Sequence, residues 1–202
     1  MSDEVVRPVP FFLETPPETP GARRLFDADT DELGFVMNVS RLWAYQPDMV
    51  EHLFGLMRDA SIAADLSVRQ RGILVAATAS TLRDSYCSVA WGTKLAKSAD
   101  PDTAAGVLRG DDDQLTPAEH AMAHWARMIT DDPGRAEAHD VEALREVGFT
   151  DDQIFAITAF VALRIAFSTV NASLGALPDA SFRTNAPRAV LDAVTYGRPL
   201  EV

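Results

Sequence analysis

From about residue 30 onward, apolar side chains recur every three to four positions, the period of helices with one buried face rather than the two-residue alternation of strands. The helix starts are marked chemically. Ser67 with Gln70, Thr116 with Glu119 and Thr150 with Gln153 each fit a capping box, in which hydroxyl and carboxylate or amide groups satisfy the first free amides. Pro117 stands at the first helical position behind Thr116, where its missing amide costs nothing. These caps open three segments, 68–98, 117–132 and 151–179. Gly148 and Gly175 stand where a left-handed residue ends a helix. Further helices are predicted at 47–60, 101–109, 139–147 and 186–196. No set of alternating strands with hairpin dipeptides appears, so the pattern predicts an all-α multi-helix bundle.

Two of the long segments carry an anomaly. In 68–98, the cluster Thr78, Ser80, Thr81, Asp84 and Ser85 competes for backbone hydrogen bonds, so the helix should kink or restart there. If Asp84 caps the restart, Cys87 falls in the first turn, where free amides and the helix dipole favour a thiolate. Asp84 opposes that with its own charge and Arg83 partly compensates, so the residues leave the sign of the shift open. A lone cysteine is also a common small core residue. Segment 151–179 is apolar over nearly its whole circumference, the pattern of a central helix covered on all sides, and Arg164 interrupts it. A guanidinium there needs a carboxylate or carbonyl partner.

Composition narrows the function classes. The chain has 202 residues and one cysteine, which fits one domain and excludes an internal disulfide framework and any multi-cysteine zinc site. Its net charge of −12 repels phosphate backbones, so no nucleic-acid partner is expected. The first stretch is broken by prolines before it resembles a signal core, and no run reaches the roughly 20 apolar residues a bilayer needs, so no membrane association is expected and the location is expected to be cytoplasmic. Five of twelve prolines lie in the first twenty residues, which predicts an extended proline-rich arm over 1–30, ahead of a helical domain over 31–202. Phe11, Phe12 and Leu13 should lay that arm along its own domain or a neighbouring subunit. There is no Gly-x-Gly-x-x-Gly, phosphate loop or nucleophile elbow, and no cofactor is expected. His120 and His124 share a helical face beside Glu119, but Ala121 stands where the metalloprotease pattern needs glutamate. They read as a solvated face over Met122 and Trp125, with His52 and His139 as surface residues, and no metal is expected.

The stretches 32–57, 84–87, 115–133 and 144–167 resemble the carboxymuconolactone decarboxylase and AhpD-like superfamily, and within it the alkylhydroperoxidase-related proteins. The resemblance covers roughly residues 31–178 and implies an AhpD-like all-α fold, assembled as dimers, trimers or hexamers, with a pocket near the motif helix. It implies a Cys-x-x-Cys-x-x-x-His motif whose second cysteine falls on Cys87, preceded by Tyr86. Asp84 then stands in place of the first cysteine, Trp91 in place of the histidine and Gly72 in place of an upstream glutamate. An intrachain disulfide cycle is impossible with one sulfur. The resemblance therefore implies a peroxidase-related oxidoreductase with antioxidant chemistry, in which Cys87 meets a hydroperoxide and an external thiol is the reductant. Asp84 or Tyr86 would assist the proton, and Arg83, Trp91 and Arg164 would line the substrate pocket. The alternatives are non-redox chemistry of the lactone decarboxylase type on a carboxylated compound held by Arg164, and a non-catalytic oligomeric binding protein.

Overall fold

Each capped start opens a helix in the computed structural model, which describes residues 10–200. Ser67, Thr116 and Thr150 form reciprocal capping boxes with Gln70, Glu119 and Gln153. The helices are α1 (Pro20–Leu33), α2 (Asn38–Trp43), α3 (Pro47–Ala63), α4 (Val68–Thr81), α5 (Ser85–Ser98) and α6 (Pro101–Arg109). They continue with α7 (Pro117–Asp131), α8 (Ala138–Glu146), α9 (Asp151–Ser173), α10 (Phe182–Asn185) and α11 (Arg188–Ala193). No strand occurs among the described residues.

The helix covered on all sides is α4, not α9. Gly72 to Ala79 are buried without a break, and α4 packs against α5, α6, α7 and α9. Ile73 and Leu74 of α4 meet a core that includes Leu95, Val107, Met122, Ile157 and Val161. Alanines and Gly72 keep α4 thin enough for such packing. A Cβ built at Gly72 would lie 3.1 Å from Leu95 Cβ and 3.3 Å from Leu95 Cα, so α4 and α5 touch backbone to side chain there. By contrast, α9 leaves an outer face of Phe155, Ala162, Ala166 and Thr169 exposed, with Phe155 at 77%. Small alanines read as apolar in sequence yet cost little in water, which is why the all-round apolar pattern overstated burial. With 23 residues and a mean hydropathy of 1.7 over an 18-residue window, α9 is the one described helix long and apolar enough to cross a membrane by length and composition. In the bundle its inner face packs on α3, α4 and α7.

The expected arm is shorter than its prolines suggested. Residues 1–9 lie outside the described residues, and Pro20–Leu33 is helical because Thr19 caps it and Pro20 occupies the first turn, the one helical site proline tolerates. Between them the chain does lie on its own domain. Phe11 is buried, Phe12 N–H donates to the Leu174 carbonyl at 2.8 Å, and Leu177 N–H donates to the Pro10 carbonyl at 2.9 Å.

The break between α4 and α5 forms as the hydroxyl cluster requires. Ser80 and Thr81 hydroxyls both donate to the Ala77 carbonyl, competing with the ladder. Arg83 adopts φ +56°, and extended Asp84 then caps α5 by accepting from Cys87 N–H at 3.1 Å.

Glu119 ties α7 to α4 through a two-pronged pair with Arg69 at 2.6 and 3.2 Å while also serving its capping box. Burial pushes its carboxyl up, but hydrogen bonds from Arg69 and from Thr116 outweigh that and hold it below the usual glutamate range. Glu119→Gln keeps the cap and loses the ion pair, and is expected to lower unfolding free energy by about 2 kcal/mol near neutral pH. With a folded value below the unfolded one, the deficit is full above about pH 4.3 and fades as pH falls through the folded value. Urea unfolding of both proteins at neutral and acidic pH measures this.

Candidate functional site

The break in the helix places Cys87 in the first turn of α5, with its sulfur turned to α9. Arg164 Nη2 lies 3.6 Å from Cys87 Sγ, and Ser168, one helical turn further along α9, also hydrogen-bonds the thiol. The other end of the guanidinium, Nη1, lies 3.7 Å from Met57 Sδ of α3. Its centre is 5.1 Å from the Trp91 ring and 5.3 Å from the Phe167 ring. Phe167 in turn stacks on Trp43 at 5.6 Å, and Trp43 Nε1 donates to the Asn171 side chain.

Arg164 is 5% exposed, and the carboxylate or carbonyl partner expected for it is not what the structure provides. Among the described residues its hydrogen-bond acceptors are two sulfurs, and Nε has no partner. The aromatic rings and the thiol replace an oxygen acceptor. Asp84, which caps the helix at Cys87, is also 5% exposed; Oδ1 is occupied by the cap and Oδ2 has no hydrogen-bond partner.

These surroundings settle the sign the residues alone left open. Burial pushes the Cys87 thiol up to about 12, the Asp84 charge adds to the rise, and Arg164 and Ser168 only partly offset it. The resting sulfur is a protonated thiol, because desolvation outweighs the dipole of the helix start. Burial likewise lowers Arg164, against the attraction of Cys87 and Asp84.

Of the six residues singled out in the sequence, Cys87, Asp84, Arg164 and Trp91 come together around one sulfur. Tyr86 is engaged elsewhere. Its phenol donates to the Asp179 carboxylate, which also accepts Asn38 N–H at 2.9 Å, and its ring meets Phe182 edge-on. Burial, then Asp179, raises the phenol well above its ordinary value. Tyr86 thus ties α5 to α2 and to the turn after α9. Arg83 is exposed, with its guanidinium 5.9 Å from the Tyr196 ring, and lies outside the cluster. Met57, Phe167 and Ser168 were not foreseen. Phe167 and Ser168 follow Arg164 by three and four residues, a helical spacing that was legible; Met57 arrives from another helix and left no sequence signal.

His120 and His124 are exposed, and Glu119 beside them is committed to Arg69. No group of three or more histidine, cysteine or carboxylate side chains among the described residues is placed to hold a metal. A cleft of about 750 Å³ near His124, Arg127 and His139 includes none of the six residues. A second, of about 470 Å³, adjoins the other face of α5 through Ser85 and Val89, under residues 194–200. There Ser85 Oγ donates to the Arg198 carbonyl at 2.7 Å and the Tyr196 phenol donates to Ser88 Oγ at 3.0 Å.

The helix order, with a thiol at the start of the fifth helix, is the AhpD-like fold. A peroxidase-related protein from Silicibacter sp. TM1040 superposes with a TM-score of 0.78 at 22% identity, over 87% of this chain and 95% of that one. The alkylhydroperoxidase AhpD core protein from Ralstonia eutropha JMP134, also described as peroxidase-related, gives 0.75 at 25% identity over the same shares, 87% and 95%. A cysteine-to-alanine variant of the debrominase Bmp8, bound to 2,3,4-tribromopyrrole, gives 0.71 at 18% identity over 90% of this chain and 97% of its own. No protein-family model matches the chain, and no curated protein is significantly similar to it in sequence.

Asp84 joins two roles that substitution separates. Asp84→Asn keeps a good cap and removes the charge, so the Cys87 thiol is expected to titrate lower with little change in melting temperature. Asp84→Ala should lower the thiol value and also cost about 1 kcal/mol of stability. The pH dependence of Cys87 alkylation, beside thermal melts, checks both.

Proposed function

We propose that the protein is a thiol-dependent, peroxidase-type oxidoreductase that works with the single sulfur of Cys87 and an external thiol as reductant. The observation that carries this reading is the buried Arg164 guanidinium, 3.6 Å from Cys87 Sγ and unpaired with any carboxylate among the described residues. A cation in that position stabilises the thiolate formed during reaction more than the resting thiol, which is where catalysis gains. Asp84, three residues before Cys87 and with one unpartnered carboxylate oxygen, is the group to take the thiol proton.

In this reaction Sγ attacks the outer oxygen of a hydroperoxide, the S–O bond forms as the O–O bond breaks, and the proton passes through Asp84 to the leaving alkoxide. The products are the alcohol and Cys87 sulfenic acid. One external thiol displaces water to give a mixed disulfide, and a second releases Cys87 as thiol with the external disulfide. The neighbours named peroxidase-related support this chemistry through the fold. Exposed Met49, Leu56, Ile62 and Phe155 on α3 and α9 support a homo-oligomer.

A second reading is non-redox small-molecule chemistry of the carboxymuconolactone decarboxylase type. It is favoured by the thiol being held at about 12, since such chemistry needs no thiolate.

Treatment with cumene hydroperoxide and a dimedone trap should label Cys87 as sulfenic acid by mass spectrometry. The rate should rise about tenfold per pH unit across the neutral range, because the reactive thiolate is a trace species there. Peroxide consumption with dithiothreitol should vanish in Cys87→Ser. An unlabelled Cys87, or consumption unchanged in Cys87→Ser, removes the reading.

A further inference from the structure

Cys87 is closed to solvent, and the shell that closes it is uneven. Cys87, Asp84, Met57, Arg164, Phe167 and Ser168 are each no more than 5% exposed. Of the side chains paired with Arg164, Trp91 alone reaches solvent. Its place follows from the helix. Cys87, Trp91 and Lys94 stand at i, i+4 and i+7 on one face of α5. Side chains on a helix lean toward its start, so Trp91 covers the turn that carries Cys87. The Trp91 ring lies 5.1 Å from the buried Arg164 guanidinium and 5.1 Å from the exposed Lys94 ammonium. Trp43 and Trp125 are pinned by indole N–H bonds to Asn171 and Thr158, whereas the Trp91 indole N–H has no acceptor among the described residues. A second way inward runs through Phe54, which leans on Phe167 at 5.3 Å. Phe167 is itself buried and stacked on Trp43, so two rings would have to move there.

We propose that Trp91 is the gate to Cys87 and sets the width of what reacts there: rotation of this one side chain admits a reagent to the sulfur, and the bulk of the ring excludes wide ones. Opening is local. It breaks two cation–π contacts, one of them at the surface, and leaves the helix packing and every cap in place. The remaining walls, Met57 and Phe167, are buried and stay fixed, so the space released is that of the indole and no more. For hydroperoxides and reducing thiols the proposal rests on the peroxidase reading. Narrow, unbranched compounds then reach the sulfur, and those branched beside the reacting oxygen or sulfur are slowed. For alkylating agents it rests on the packing alone.

The probes are iodoacetamide and iodoacetanilide, which share a reacting group, carry no charge and differ by one phenyl ring. Their rates with Cys87 are followed by mass spectrometry on the full-length protein at fixed pH, each relative to its rate with N-acetylcysteine. Trp91→Ala is expected to raise the iodoacetamide rate about tenfold or more, as a sparsely populated open state becomes the resting one, and the iodoacetanilide rate by a larger factor. A change in the thiol's ionisation would speed both reagents equally, because both meet the same thiolate. Lys94→Ala, on the surface, keeps the fold and loosens the outer contact, and should raise both rates about two- to fivefold. Urea below the unfolding transition should leave the wild-type rates unchanged, since opening one side chain exposes little surface. Equal gains for the two reagents in Trp91→Ala, no gain in Lys94→Ala, or a wild-type rate that climbs with urea as steeply as global unfolding overturns the proposal. A protein that alkylates as described yet consumes no peroxide loses the peroxidase reading and keeps the gate, whereas a peroxidase whose thiol is equally open to both reagents loses the gate alone.

Discussion

Burying a guanidinium in the middle of an apolar helix costs several kcal/mol unless its charge finds compensation, and the means of compensation at Arg164 order everything around it. Two aromatic rings take its faces and two sulfurs take its edges, so α3, α5 and α9 each contribute a side chain to one charged group. These partners are weaker than a carboxylate would be. The residual attraction falls on Cys87, so a demand set by packing becomes a handle on the chemistry of the one thiol in the chain.

Gly72, Asp84 and Trp91 each have a physical task of their own. Gly72 lets α4 and α5 approach to contact at Leu95, where an added Cβ would already be tight. Asp84 caps the helix that presents Cys87. Trp91 lies against Arg164.

Much of this was legible from sequence because it is local. Capping boxes, the restart at Asp84 and the position of Cys87 depend on residues within a few positions of one another, and the helices follow. What the sequence hid was non-local. Nothing near Met57 or Asp179 in the chain announces that one meets Arg164 and the other Tyr86. The direction of the thiol shift was also unreadable, because it is decided by desolvation from several helices at once. For α9, a pattern of alanines could not distinguish a buried face from a cheaply exposed one.

The chain folds back on itself so that residues 10–12 and 196–200 meet over the turn that follows α9. Pro10 and Phe12 are stitched to Leu177 and Leu174, and Arg198 lies over the Phe12 ring while donating to the Ala172 carbonyl. That turn carries Asp179, the anchor of Tyr86. The first and last described segments therefore close over one turn, so the position of the start of α5 depends on contacts from both ends of the described chain.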